Sequence, residues 1–215
     1  MKKTIILSIS ILFSVSIYAQ KTTKNDTLIC KTVVPSRWAI EFDMGASLNQ
    51  VFKPSYMDNI VSETFDYKIF YRNFYFLLGE SMTDFTPTKD MTFNHFIIHN
   101  QNGIMISTMN TAFGYIYNFN KKWSADVKIG LNSTYCTIDY NNNQDSYGTD
   151  IISGSTYGIG INRYFKLKGY SYIVVSLGAD YYNTDLSKLS PDMNPNSLNW
   201  FLTVAYKGFF KKVID

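Results

Sequence analysis

Four carboxylates and two amines occupy polar positions in strand-like stretches of the chain: Glu41, Asp43, Asp126, Asp180, Lys128 and Lys207. Each has an apolar or aromatic neighbour in sequence, as in Ile40-Glu41-Phe42-Asp43 and Val127-Lys128-Ile129. Residues spaced by two share one face of a pleated strand. Charges gathered on an enclosed face need partners of opposite sign, because an unpaired buried ion costs several kcal/mol. The chemistry these six residues imply is mutual neutralisation, with Glu41 and Lys207 expected to pair; ion binding is the other use of the same groups. A second group is His95 and His99 in FNHFIIHN, with Ser81, Ser107 and Asp90 in the vicinity. Histidine acts as a general base only within hydrogen-bond reach of its nucleophile, and no spacing here predicts that. Two histidines four residues apart, with no third ligand nearby, make a poor zinc site. The reading is therefore not catalytic, with no cofactor and no metal.

The elements that must position these charges are strands. In WSADVKIGLNSTYCT, residues 123–137, Trp123, Ala125, Val127, Ile129, Leu131 and Tyr135 fall on one parity. Ser124, Asp126, Lys128, Gly130, Asn132 and Thr134 fall on the other. Strand-length runs also cover 37–49, 104–119, 150–165, 170–185 and 198–210. Between the later runs, NKK (120–122) and KLKG (166–169) are tight turns, while 140–149 and 187–196 are long and polar. In the N-terminal half, IVSETFDYKIF, FYFLLGESMTDF and FNHFIIH compete to be strands, making nine candidates in all. A turn at 71–73 and a loop over 86–103 reduce the count to eight and keep short and long connections alternating. Ten is the alternative. Gly158 and Gly160 in YGIGIN precede no helix and read as small interior residues, not as a phosphate cradle.

Which parity faces water is decided by composition and by the ends of the chain. The polar parity is rich in Gly, Ser, Thr and Asn, which suits a narrow interior; a soluble surface would carry more Lys and Glu. The apolar parity is heaviest at its ends, with Trp38, Phe119, Trp123, Phe165 and Phe210 near one rim and Tyr135, Tyr181 and Trp200 toward the other. Amphipathic rings settle at headgroup depth, so two such girdles mark a lipid-facing exterior. Aromatics at 17% and charges at 17% agree, the latter falling below the usual quarter or so for a soluble domain. The start, MKKTIILSISILFSVSIYAQ, has the layout of a secretory signal ending at Ala19. Its loss leaves 18 basic and 17 acidic side chains, with no clustered basic stretch to suggest nucleic acid. Cys30 falls in a polar leader and Cys136 far along a strand, so no disulfide is expected.

The chain resembles the small outer-membrane barrels of the outer membrane protein A and X type over residues 37–212, by strand pattern. In its last strand Thr203, Ala205 and Phe210 are similar to that family's assembly signal, which implies recognition by the outer-membrane assembly machinery. The expected organisation is a signal peptide (1–19), a polar periplasmic leader (20–36) and a barrel domain (37–212). The fold class is all-β, an eight-stranded antiparallel up-and-down transmembrane β-barrel of the bacterial outer membrane. Polar side chains would plug its lumen, since eight strands leave an interior just wide enough to fill. Its partners would be outer-membrane lipid and an extracellular ligand at the outer loops. The rival functions are a narrow channel, a lipid-modifying enzyme and a soluble barrel with the apolar parity inside.

Overall fold

Period-two alternation becomes eight long antiparallel strands. The structure, a computed structural model, describes residues 32–50, 60–87, 89–93, 96–99, 103–140, 145–148 and 150–214. The strands are β1 (Thr32–Asn49), β2 (Ile60–Tyr71), β3 (Phe74–Phe85), β4 (Gly103–Asn118), β5 (Trp123–Tyr140), β6 (Ile152–Lys166), β7 (Ser171–Asn183) and β8 (Ser197–Ile214). Each pairs with its sequence neighbour, and β1 with β8 closes the ring. Closure matters because it removes the exposed edges that would leave backbone groups unpaired. The Gln50 N–H donates to Leu198 O at 3.1 Å at the closing seam. The barrel unit is Val34–Lys212; the other unit, Met1–Val33 with Val213–Asp215, lies almost wholly outside the described residues, as do the signal sequence and Cys30.

β1 starts at Thr32, so residues 32–36 of the expected leader are strand. The turn at 71–73 is as tight as its two-residue length requires, with Arg72 at φ 57. That left-handed backbone is uncommon outside Gly and Asn. The loop over 86–103 is not unstructured: Met91–Phe93 and Phe96–Ile98 form a small hairpin. FNHFIIH thus does contain strand, but it pairs within its own loop and adds nothing to the barrel wall. Asp145–Gly148 folds back on the outer end of β5.

The two parities separate cleanly. Leu131 is 69% exposed and Ile159 64%, while Asn132 and Thr156 beside them are 1% exposed. A row of exposed leucine, isoleucine and phenylalanine around a closed polar interior is stable only against lipid. Trp38, Phe119, Trp123, Phe165, Tyr181, Trp200 and Phe210 all point outward and are exposed; Tyr135 shares their parity but is half-buried. Ring pairs such as Trp38–Tyr71 and Phe74–Tyr115, with centroids 4.9 and 5.1 Å apart, join neighbouring strands near the turn end.

Candidate functional site: a charged lumen beneath an apolar cap

Glu41 and Asp43 project inward from β1 two residues apart, and Lys68 faces them from β2 because the ladder sets Glu41 opposite Lys68. The Lys68 ammonium donates to Glu41 Oε1 at 3.0 Å and also to Asp43 Oδ2. From β8, Lys207 Nζ lies 3.1 Å from Glu41 Oε2, so the seam between first and last strands carries an ion pair. Lys207 also sits over the Phe70 ring, 3.2 Å from its centroid. A second pair stands apart from the first: Lys128 Nζ lies 2.9 Å from Asp180 Oδ2. Asp126 is held by neutral donors, the Tyr75 hydroxyl at 3.0 Å and the Asn162 amide at 2.7 Å.

Glycines on β6 make space for this network. A side chain at Gly158 would meet both Asp180 and Lys128, and a Cβ at Gly160 would come within 2.8 Å of Asp126 Oδ2. Toward the outer end, charge gives way to hydroxyls and amides. Asn132 donates to Thr156 Oγ1 at 2.9 Å and accepts from Thr184; Asn49 donates to Ser62 Oγ at 2.6 Å, and Ser62 in turn bonds Thr83. Cavities of about 20 Å³ lie in this layer and beside the Lys128–Asp180 pair, each with room for roughly one water. One is bordered by Asp66, Lys128, Asp180 and Tyr182, the other by Asn49, Thr134, Thr184 and Leu186.

Both ends of the lumen are apolar, which departs from an interior filled by polar side chains alone. At the turn end Ala39, Phe70, Tyr75, Leu77, Ala112 and Ile116 form a floor, with Phe209 packed against it. At the outer end Ile104, Ile106, Cys136 and Ile138 continue the inward parity of β4 and β5. The loops supply the rest. Met91, Phe93 and Ile98 of the small hairpin, with Leu186, Leu189 and Met193 from the connection before β8, complete a buried cluster across the mouth. Leu186–Lys188 is a 3-10 turn, whose tight repeat points Leu186 and Leu189 to the same side.

The described members of the histidine group do not converge. His99 Nδ1 lies 3.2 Å from Asp90 Oδ2 on the exposed loop surface, while Ser81 faces the lumen. The Ser107 hydroxyl donates to Glu80 Oε1 at 2.9 Å, and both residues share the outward parity. His95 lies outside the described residues. Lys68, Asp66 and Tyr75 are among the interior residues that the sequence does not reveal, as are Tyr164, bonded to Ser124, and Tyr182, bonded to Asn110 and Asn199.

Eight strands closed into a ring, an apolar exterior and a filled polar interior now define the molecule. No protein-family model and no curated protein matches the sequence. Solved structures do. The attachment invasion locus protein Ail of Yersinia pestis, in complex with the heparin analogue sucrose octasulfate, is similar at a TM-score of 0.51 and 14% identity, covering 79% of this chain and 98% of that one. Neisserial surface protein A is similar at a TM-score of 0.53 and 6% identity, covering 84% of this chain and 100% of that one. The fold is that of a small outer-membrane β-barrel. Its lipid-facing exterior agrees with that architecture and excludes the inverted arrangement of a soluble lipid-binding barrel. Such a fold crosses a bilayer with strands, and the tight turns at one end with long connections at the other agree with it.

Proposed function

We propose that this barrel is a sealed, non-conducting component of the bacterial outer membrane whose role is structural or is exercised at its outer loops. The observation that carries the reading is the filling of the lumen: an apolar floor, a paired charge layer, a hydroxyl layer and an apolar cap follow one another along the axis. A conducting pore would need a continuous wet path, and among the described residues cavities of about 20 Å³ do not supply one. Such an interior serves to hold the wall rigid, leaving the loops as the surface that differs from one barrel to the next.

Loop charge narrows the partner. Ail is recorded with a sulfated heparin analogue, but the described outer residues here include Glu63, Asp84, Asp150, Asp185 and Asp192 against Lys89 and Lys188. Like charges repel, so an outer ligand for this chain would be neutral or cationic and not a polyanion. The test is planar-bilayer recording of the folded, heat-modifiable barrel together with passage over a heparin resin. No stable conductance and no retention are expected. Steady single-channel steps would replace the sealed reading with a channel, and salt-sensitive retention by folded protein would overturn the assignment of loop charge.

A further inference from the structure

The two rims of the barrel carry opposite charge. The three periplasmic connections and their flanks, residues 71–74, 119–123 and 165–172, contain Arg72, Lys121, Lys122, Lys166 and Lys168 and no acidic residue. Arg37 joins them from β1, where its carbonyl accepts from Arg72 N–H at 2.7 Å. These basic side chains are exposed.

Two of the guanidinium groups at this rim stack on aromatic rings. Arg163 is on the outward parity of β6, opposite Trp123 in the ladder, with its guanidinium 4.6 Å from the Trp123 ring centroid and 5.6 Å from that of Phe165. Lys122 is adjacent, since its carbonyl accepts from Tyr164 N–H at 2.8 Å. Arg72 repeats the arrangement over Tyr71 at 5.6 Å. Stacking on an aromatic face fixes a guanidinium without neutralising it, and its planar donor fork stays free to bind phosphate oxygens. Just beyond Arg163, Val127, Ile159 and Ile161 present an exposed apolar strip toward mid-membrane. A ligand matching both features has an anionic phosphodiester joined to acyl chains.

We propose that the periplasmic rim is a binding collar for anionic phospholipid, with Arg163, Lys122 and Trp123 as its best-formed site. The headgroup phosphate meets Arg163 and Lys122, and an acyl chain lies along Val127 and Ile161. Attraction of a cation near an anionic surface corresponds to about a fivefold enrichment of lipid per cation. The preference belongs to this rim, because the opposite end is mainly acidic.

The barrel has three tryptophans, Trp38, Trp123 and Trp200, so fluorescence can read one rim at a time. A Trp38→Phe, Trp200→Phe variant leaves Trp123 as the reporter, and its gel shift on boiling confirms folding. Reconstituted in phosphatidylcholine vesicles, it is titrated with brominated phosphatidylglycerol or brominated phosphatidylcholine. Trp123 should be quenched by the anionic lipid at a mole fraction lower by roughly fivefold for each of the two cations. Arg163→Gln with Lys122→Gln, or half-molar salt on the parent variant should the substituted barrel fail to fold, should bring the two lipids close to equality. Equal quenching in the parent variant would overturn the proposal. So would the same preference at Trp200 in a Trp38→Phe, Trp123→Phe variant, which would mean diffuse attraction. Loss of the preference on adding inorganic phosphate at low millimolar concentration would identify a site for free phosphate and equally overturn the lipid assignment.

Discussion

At the waist of the lumen Lys68 holds Glu41 and Asp43 together, whereas at the outer mouth the space is filled by Phe93, Ile98, Leu189 and Met193. The waist side chains all come from barrel strands, and their positions follow from ladder register. Slipping β2 by one residue against β1 would turn Lys68 toward lipid, strand Asp43 and leave Glu41 with Lys207 alone. Desolvation makes ion pairs a poor source of net stability, but it makes wrong registers very costly. The mouth works the other way. Its plug comes largely from loops, and an apolar surface tolerates small displacements while each buried Leu or Phe contributes about 1.5–3 kcal/mol. Charge at the waist selects one register; apolar burial at the mouth ties the loops to the barrel.

The sharpest way to break this contrast is at Lys68. Lys68→Met removes the shared partner of Glu41 and Asp43 and leaves Lys207 as the remaining cation on Glu41. Removing one partner of a buried pair costs about 3–5 kcal/mol, so the urea midpoint of the reconstituted barrel should fall by that equivalent. Adding Asp43→Asn should recover part of the loss by removing the stranded charge. A loss below about 1 kcal/mol in the single variant would mean that water reaches the waist and the charges are not enclosed.

Leu189 tests the mouth. It is 1% exposed, and Leu189→Ala should cost about 2 kcal/mol, at the low end of the range for such truncations because a loop can partly collapse into the space. The loss should be local: amide exchange and protease cutting should rise in 86–99 and 186–196 while the strands keep their protection. Equal loosening of β1 and β2 would show that mouth and waist unfold as one unit.

Strand parity and tight turns were legible in the sequence because alternation has a fixed period and lipid demands an apolar outer face along every strand. Glu41, Asp43, Asp126, Lys128, Asp180 and Lys207 could be assigned to the interior for the same reason. Lys68 and Asp66 were missed because β2 blurs its own pattern, with Glu63 on the outward parity and buried Phe70 on the inward one. The cap was hidden for a different reason. Leu186, Leu189 and Met193 are spaced by three and four within SKLSPDM and its flanks, which is no strand period, and Met91, Phe93 and Ile98 resemble one more wall strand. Only the chain path shows that the two loops meet over Ile104 and Ile138.

The smallest expected effect sets the scale for the waist. His99 and Asp90 also pair, at 3.2 Å, but their side chains are 69% and 54% exposed. Water already solvates both groups, and ordering two exposed side chains costs entropy, so such a pair contributes within about 0.5 kcal/mol. His99→Ala should leave the urea midpoint unchanged within error and leave the protease pattern of the loop as it was. If the loop instead opens as it does in Leu189→Ala, the pair helps to fasten the cap, and the mouth depends on polar contacts as well as on its apolar plug.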